Sequence, residues 1–396
     1  MNRPSASDSD WSRLRSLLEK EQQSNPGRYA SEWFPYLEGF THHFEAYFER
    51  QCLEVISYND VAKFRRIYPH FRVRRNLFVT KTKVLYELLD SEEFECYREL
   101  SVYMRTKFSA KAIKSIAKSP HAGNLRTLAL ITEQGQHAFI NQGATDALAK
   151  LLDLPSLRSL GLRTFELGDV SAFANAPGLS KLRSLAFTDA ITINNLAVIT
   201  SSPHLGNLES LSVYQNRHRM SVEPITQNPN LGSLTSLSLT SVRPQYGVAP
   251  VMIGDEGCQE LARTEHLSGL TRLGLAQGLT DEGAKAIAES SVFGNLEKLG
   301  LANNAIGDDG VIALANSPHL HKLEELDLSY NTGIGAQGLR ALAFTERLPS
   351  LQKLTLERIE PDPVSTVLLM STLGGERGGE IKVERPKLTR EDTGAL

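Results

Sequence analysis

Residues 296–304 read LEKLGLANN, with leucines at 296, 299 and 301 and an asparagine at 304. A short strand alternates its side chains, so Leu299 and Leu301 point to one face and Leu296 covers the turn leading in. Asn304 is placed to bond loop backbone groups that have no ladder partner. One such unit cannot bury its own apolar face and needs a neighbour on each side.

The neighbours are present. The first leucine of each copy falls at Leu125, Leu157, Leu182, Leu208, Leu234, Leu270, Leu296, Leu323 and Leu351. The intervals are 32, 25, 26, 26, 36, 26, 27 and 28 residues. A second apolar place lies three residues earlier, at Leu154, Leu179, Leu205, Leu231, Leu267, Phe293, Leu320 and Leu348. Between strands the chain reads as helix. Thr280-Asp281-Glu282-Gly283 opens with an acidic helix start followed by small and apolar residues at helical spacing, and Ile306-Gly307-Asp308-Asp309-Gly310 and Ile253-Gly254-Asp255-Glu256-Gly257 repeat it. Gly257, Gly283, Gly310 and Gly338 hold one place, where the lack of a side chain permits close helix–strand approach. The expected fold is an α/β solenoid: a curved parallel sheet inside, helices outside, and a helical cap at the N-terminus.

This pattern resembles the ribonuclease-inhibitor-like class of leucine-rich repeat proteins, and more narrowly the bacterial proteins with IGDEGAxALAxSPHLxxLxxLxL units common in myxobacteria and planctomycetes. The resemblance covers residues 120–360. It implies a binding scaffold and names no partner. The asparagine place is held only by Asn216, Asn304 and Asn331; Phe165, Val242 and Gly278 stand there in other copies, which bears on the regularity of the loops.

A repeat architecture overrides the several globular domains that 396 residues would otherwise suggest. The net charge of −3 calls for neither nucleic acid nor an anionic membrane. Cys52, Cys96 and Cys258 are few and far apart, with no metal spacing and no disulfide framework, which fits a reducing cytoplasm. No signal core or membrane-spanning run is evident.

Taken in order, residues 1–49 read as a polar start and a helical cap. Asp10 caps a helix from Trp11 to about Gln22, Pro26-Gly27 breaks it, and an aromatic stretch from Tyr29 to Phe48 covers the open end of the solenoid or docks a partner helix. Residues 50–118 read as degenerate repeats, with strand pairs at Leu53/Val55, Leu77/Val79 and Leu100/Val102, or as a helical region. The repeats proper span 119–360. The two long intervals place insertions near Thr132–Gln142 and after Leu239, the latter carrying Arg243 and Tyr246 as candidate partner contacts. Residues 361–385 form a C-terminal cap with a final strand near Glu380–Glu384, and 386–396 a polar tail.

No catalytic constellation emerges: GxSxG, P-loop, CxxC and HExxH patterns are missing, and no cofactor or metal is expected. His121, His204, His266 and His319 are one repeat place used four times and cannot converge on a metal. His42-His43 lacks helical ligand spacing, and Gly374–Gly379 lacks the Lys-Ser/Thr of a phosphate loop. The run from Phe64 to Arg75 mixes arginines with aromatics and would suit nucleic acid, but no recognition motif accompanies it.

The candidate site is the concave face. Its central place is almost all small: Ala129, Gly161, Ala186, Ser212, Ser238, Gly274, Gly300, Asp327 and Thr355. Flanking it are Arg158, Arg163 and Arg183, then Tyr214, then Arg272 and Lys298, then Glu324, Glu325, Asp327 and Tyr330. A trough running from basic to acidic can orient a protein partner, and tyrosine and arginine are frequent hot-spot residues. The expected function is non-catalytic protein binding by a cytoplasmic, bacterial scaffold. Three other readings stay open: regulation of a GTPase, as implied by similar repeats in eukaryotic Ran activators; a ubiquitin-ligase adaptor of the F-box effector type; and nucleic-acid binding through residues 64–75.

Overall fold

A computed structural model describes residues 20, 24, 76–104, 108–132, 141–163, 167–188, 191–214, 221–240, 253–276, 278–359, 363–372 and 380–382. Lys20 and Ser24 are helical, and Ser24 Oγ donates to the Lys20 carbonyl at 2.8 Å. The remainder of the expected N-terminal cap, the Leu53/Val55 pair, the basic run at 64–75, Asn216, the insertion residues Arg243 and Tyr246, the Gly374–Gly379 turn and the polar tail lie outside the described residues.

One parallel sheet organises the described chain, its twelve strands ordered β1 to β12 as in the sequence. They are β1 (Asn76–Val79), β2 (Glu99–Met104), β3 (Thr127–Thr132), β4 (Ser159–Arg163), β5 (Ser184–Thr188) and β6 (Ser210–Tyr214), then β7 (Ser236–Thr240), β8 (Arg272–Leu275), β9 (Lys298–Gly300), β10 (Glu325–Asp327), β11 (Lys353–Thr355) and β12 (Glu380–Lys382). A helix follows each of the first eleven. In order these are α1 (Thr82–Leu89), α2 (Ala110–Lys118), α3 (Gln142–Leu151), α4 (Ser171–Ala174), α5 (Ile193–Thr200), α6 (Glu223–Thr226), α7 (Gly254–Ala262), α8 (Asp281–Glu289), α9 (Asp308–Ala315), α10 (Ala336–Phe344) and α11 (Pro363–Leu369). Strands stack about 4.8 Å apart while packed helices need 8–10 Å, so the sheet bends with the strands on its inner side.

Register keeps like residues together. Leu100, Leu128, Leu160, Leu185, Leu211, Leu237, Leu273, Leu299, Leu326 and Leu354 form one continuous row across β2 to β11. All are buried, as are the leading leucines from Leu125 to Leu351 and the second set from Leu154 to Leu348. Shortening one of these leucines to alanine, Leu299 for instance, costs about 2–5 kcal/mol. Leu77 and Val79 of β1 sit in the same rows as Leu100 and Val102 of β2.

Polar ladders join the repeats where the leucines do not. The amide of Asn304 donates to the Leu275 and Leu301 carbonyls at 2.9 Å each, and its Oδ1 accepts from Leu279 N. Asn331, fully buried, does the same one repeat on, with Leu301, Leu328 and Ile306. A serine closes the helical side. Ser317 Oγ donates to the Ala288 carbonyl of the preceding helix at 2.5 Å and accepts from His319 N at 3.2 Å. Ser119, Ser202, Ser290 and Thr345 make the matching pairs of bonds.

The acidic helix starts work across repeats rather than within them. Asp281 Oδ1 accepts from Gly307 N at 2.7 Å and Gly310 N at 2.8 Å, at the start of α9. Asp308 does so for Gly335 and Gly338 at the start of α10, and Asp255 for Thr280 and Gly283 at the start of α8. This corrects the expected role of the repeated glycine. A Cβ at Gly310 would lie 2.6 Å from Asp281 Oδ1 and 2.8 Å from Ile306 Cγ2, and one at Gly283 2.6 Å from Asp255 Oδ1. At Gly283, Gly310 and Gly338 the empty space admits the previous repeat's carboxylate, not a strand; at Gly257 it admits the Ile253 and Val222 side chains.

Candidate functional site

Side chains that alternate away from the buried leucines face the concavity in three rows. The first runs Glu99, Thr127, Ser159, Ser184, Ser210, Ser236, Arg272, Lys298, Glu325 and Lys353. The middle one runs Ser101, Ala129, Gly161, Ala186, Ser212, Ser238, Gly274, Gly300, Asp327 and Thr355. The third, at the strand ends, includes Ile131, Arg163, Thr188, Tyr214 and Thr240.

The expected site residues are thereby distributed. Arg272, Lys298 and Glu325 are neighbours in the first row, Asp327 is in the middle row, and Arg163 and Tyr214 are in the third, two strands apart. Tyr330 lies past β10 with φ 60, at the repeat place where Asn303 has φ 60 and Arg358 φ 61. Arg158 and Arg183 each stand one residue before their strand, at the rim where strands begin. Arg183 Nη1 bonds Glu209 Oε1 at 3.1 Å, and Arg158 Nη1 donates to its own loop carbonyls at Pro155 and Leu157.

Charge in the first row is internally matched. Glu325 accepts from Lys298 and lies 3.6 Å from Lys353 Nζ, so one carboxylate bridges two ammonium groups on neighbouring strands. The bonded Lys298 holds the Glu325 carboxyl below its ordinary range. Arg272, next in the row, is exposed and has no ion pair among the described residues. Asp327 Oδ1 accepts from Ser329 N at 3.0 Å.

Packing does not demand glycine at two places of the middle row. A Cβ on Gly161 would meet Ala129 Cβ at 3.7 Å, and one on Gly300 would meet Gly274 Cα at 3.8 Å, both ordinary contacts. Only Gly274 is tight, with Ser238 Oγ at 3.3 Å.

Three residues were missed from the sequence. Lys353 completes the Lys298–Glu325 ladder. Arg98 and Arg126 occupy the same rim place as Arg158 and Arg183. The signal was available in the aligned stretches YREL, LRTL, LRSL and LRSL, followed by LESL, at 97–100, 125–128, 157–160, 182–185 and 208–211.

Among the described residues no group of three or more histidine, cysteine, aspartate or glutamate side chains is placed to hold a metal. Cys258 is buried, its Sγ 3.4 Å from the Gly283 carbonyl, and burial pushes its pKa up to about 12. That is the state of a packed thiol, not a nucleophile. No helix among the described residues is long and apolar enough to cross a membrane.

The repeated strand, asparagine ladder and outer helix are those of the leucine-rich repeat fold. A family model described as Leucine Rich repeat matches residues 295–315 and 319–343. The described chain has the leucine-rich repeat fold, and the family model covers two of its repeats. Among solved structures it is similar to a protein from Bacteroides fragilis, at 14% identity over 73% of this chain and 74% of that one, TM-score 0.43. It is also similar to internalin C2 from Listeria monocytogenes, at 18% identity over 70% and 84%, TM-score 0.32. A chain of the Rad7 and Elc1 complex of yeast is 16% identical over 88% and 94%, TM-score 0.43. A comparison with curated proteins gives no match.

Proposed function

We propose that this protein is a non-catalytic interaction scaffold that holds a protein partner on the concave face of its sheet. The observation that carries the proposal is the small middle row. A Cβ at Gly161 or Gly300 would meet only ordinary contacts, so glycine at those two places of the floor is not imposed by a close neighbour. Arg163, Tyr214, Arg272 and Tyr330 border that floor and Asp327 stands in it, supplying the polar and aromatic contacts, with Lys298 and Glu325 paired to each other beside them. Arg158 and Arg183 flank it at the rim. The helix in each repeat and the repeat length favour the ribonuclease-inhibitor-like class. The cysteine usage, with Cys258 buried and reduced, favours a cytoplasmic setting, and the resemblance favours a bacterial one.

Affinity capture from the native cell tests this, comparing wild type with a folded variant carrying Arg163→Glu, Tyr214→Ala and Asp327→Lys. A protein recovered by wild type and lost with the variant supports the concave site. Equal recovery by both refutes it and moves attention to the insertion carrying Arg243 and Tyr246.

A further inference from the structure

The rim where the strands begin carries a second pattern, set by backbone geometry. Residues one place before the strands are themselves hydrogen-bonded in a ladder. Arg126 N donates to Arg98 O at 2.7 Å, Arg158 N to Arg126 O at 2.8 Å, Arg183 N to Arg158 O at 2.7 Å and Glu209 N to Arg183 O at 2.8 Å. Four arginines therefore stand on four neighbouring strands, spanning roughly 14 Å in steps of about 4.8 Å. Arg126, Arg158 and Arg183 are exposed and Arg98 is half-buried. The Arg98 and Arg126 guanidinium groups have no hydrogen-bond or ion-pair partner among the described residues. The stripe stops at Glu209, which pairs with Arg183, and the same rim place further on holds Thr235, Thr271, Glu297 and Glu324.

We propose that this stripe receives an acidic helical segment of the protein partner, an inference that rests on the concave-face scaffold above. Four cations at strand spacing nearly match the turn of an α-helix, about 5.4 Å. Carboxylates three or four residues apart on one helix face would each meet one guanidinium. An extended chain repeats its side chains on one face every 6.7 Å or so and drifts out of step within two strands. A nucleic-acid strand fits less well. Its phosphates continue past the stripe, where Glu209, Glu297 and Glu324 repel them, and few phosphate contacts remain. The adjoining floor at Ala129, Gly161 and Ala186 carries only small side chains.

The probes are two labelled alanine-based peptides of identical composition and a labelled single-stranded oligo(dT). One peptide carries glutamates at i, i+4, i+7 and i+11; the other spreads them around the helix. Binding to the full chain is followed by fluorescence anisotropy at low salt. The patterned peptide is expected to bind about tenfold more tightly than its scrambled partner, and Arg126→Glu with Arg158→Glu to weaken it by at least about tenfold. Lys114→Glu with Lys118→Glu, on α2, is expected to leave binding unchanged, and circular dichroism checks that each variant folds. Equal binding of both peptides, tighter binding of oligo(dT), or an equal loss from the α2 variant would each overturn the proposal. Capture of a partner that depends on Tyr214 and Asp327 but not on Arg126 and Arg158 overturns it too, while leaving the concave-face scaffold standing.

Discussion

Replacing Asp281 by alanine removes the acceptor for two backbone N–H groups in the next repeat, those of Gly307 and Gly310. Hydrogen bonds to a charged acceptor contribute about 1.5–3 kcal/mol each, and a lost helix cap costs about 0.5–2 kcal/mol. The site is only part-buried, so water recovers some of this, and the expected loss for Asp281→Ala is about 2–3 kcal/mol. Asp281→Asn keeps an acceptor oxygen and forfeits the charge facing the start of α9, for about 1 kcal/mol. Gly310→Ala drives a Cβ to 2.6 Å from the same carboxylate oxygen and 2.8 Å from Ile306 Cγ2, so the chain must shift. Its expected cost is about 1–3 kcal/mol. Because both changes act through one oxygen, the double variant should fall short of the sum by about 1 kcal/mol, with Ile306 limiting the relief. A solenoid need not unfold in one step, so the readout is amide exchange at Gly307 and Gly310–Ala315 beside the denaturation midpoint. Unchanged protection at those amides in Asp281→Ala, or a stability loss below about 0.5 kcal/mol, would refute the inter-repeat cap.

Other expectations follow from single residues. Tyr330 has φ 60, so Tyr330→Asn should be neutral or stabilising by up to about 1 kcal/mol, and Tyr330→Val destabilising by at least that much, both read from thermal unfolding. In a Cys52→Ser, Cys96→Ser background, Cys258 should react with a thiol reagent only after denaturant is added; reaction in buffer would contradict its burial. The Cys258 pKa of about 12 lies above the ordinary 9.0, so the folded protein keeps a proton that the unfolded chain releases. Stability should therefore fall as pH rises above 9, and Cys258→Ala should flatten that slope. Glu325 is shifted the other way, below its ordinary 4.5, so its contribution is present above that pH and is lost as pH falls through the lower folded value. Being more than a third exposed, it is worth no more than about 0.5 kcal/mol, and Glu325→Gln should remove the acid-side and salt dependence of that increment.

The leucine spacing made the strands and their rows legible because burial acts on side-chain period alone. Asn304 and Asn331 were legible for the same reason: one short amide satisfies carbonyls in two adjacent turns. The acids at Asp255, Asp281 and Asp308 were legible as helix starts but not as links to the next helix. That role depends on a carboxylate crossing between repeats, which spacing within one repeat does not reveal. At the candidate site, Arg158 and Arg183 were legible individually. The stripe through Arg98 and Arg126 was not, because the leading place of β2 holds Tyr97 instead of leucine and a rim stripe shows only once the strands are set side by side. The Lys298–Glu325–Lys353 ladder depends on which strands are neighbours, so the charges of that row looked available when two of them are spent on each other.

The most direct test of the concave-face claim is photo-cross-linking in the native cell. A photoreactive residue at Ser212, in the floor of the trough, is compared with one at Glu289, exposed on the outer helix α8. The scaffold proposed here predicts a discrete protein adduct from position 212 and none from 289. The same adduct from 289 with none from 212 would contradict it and place the working surface on the helices.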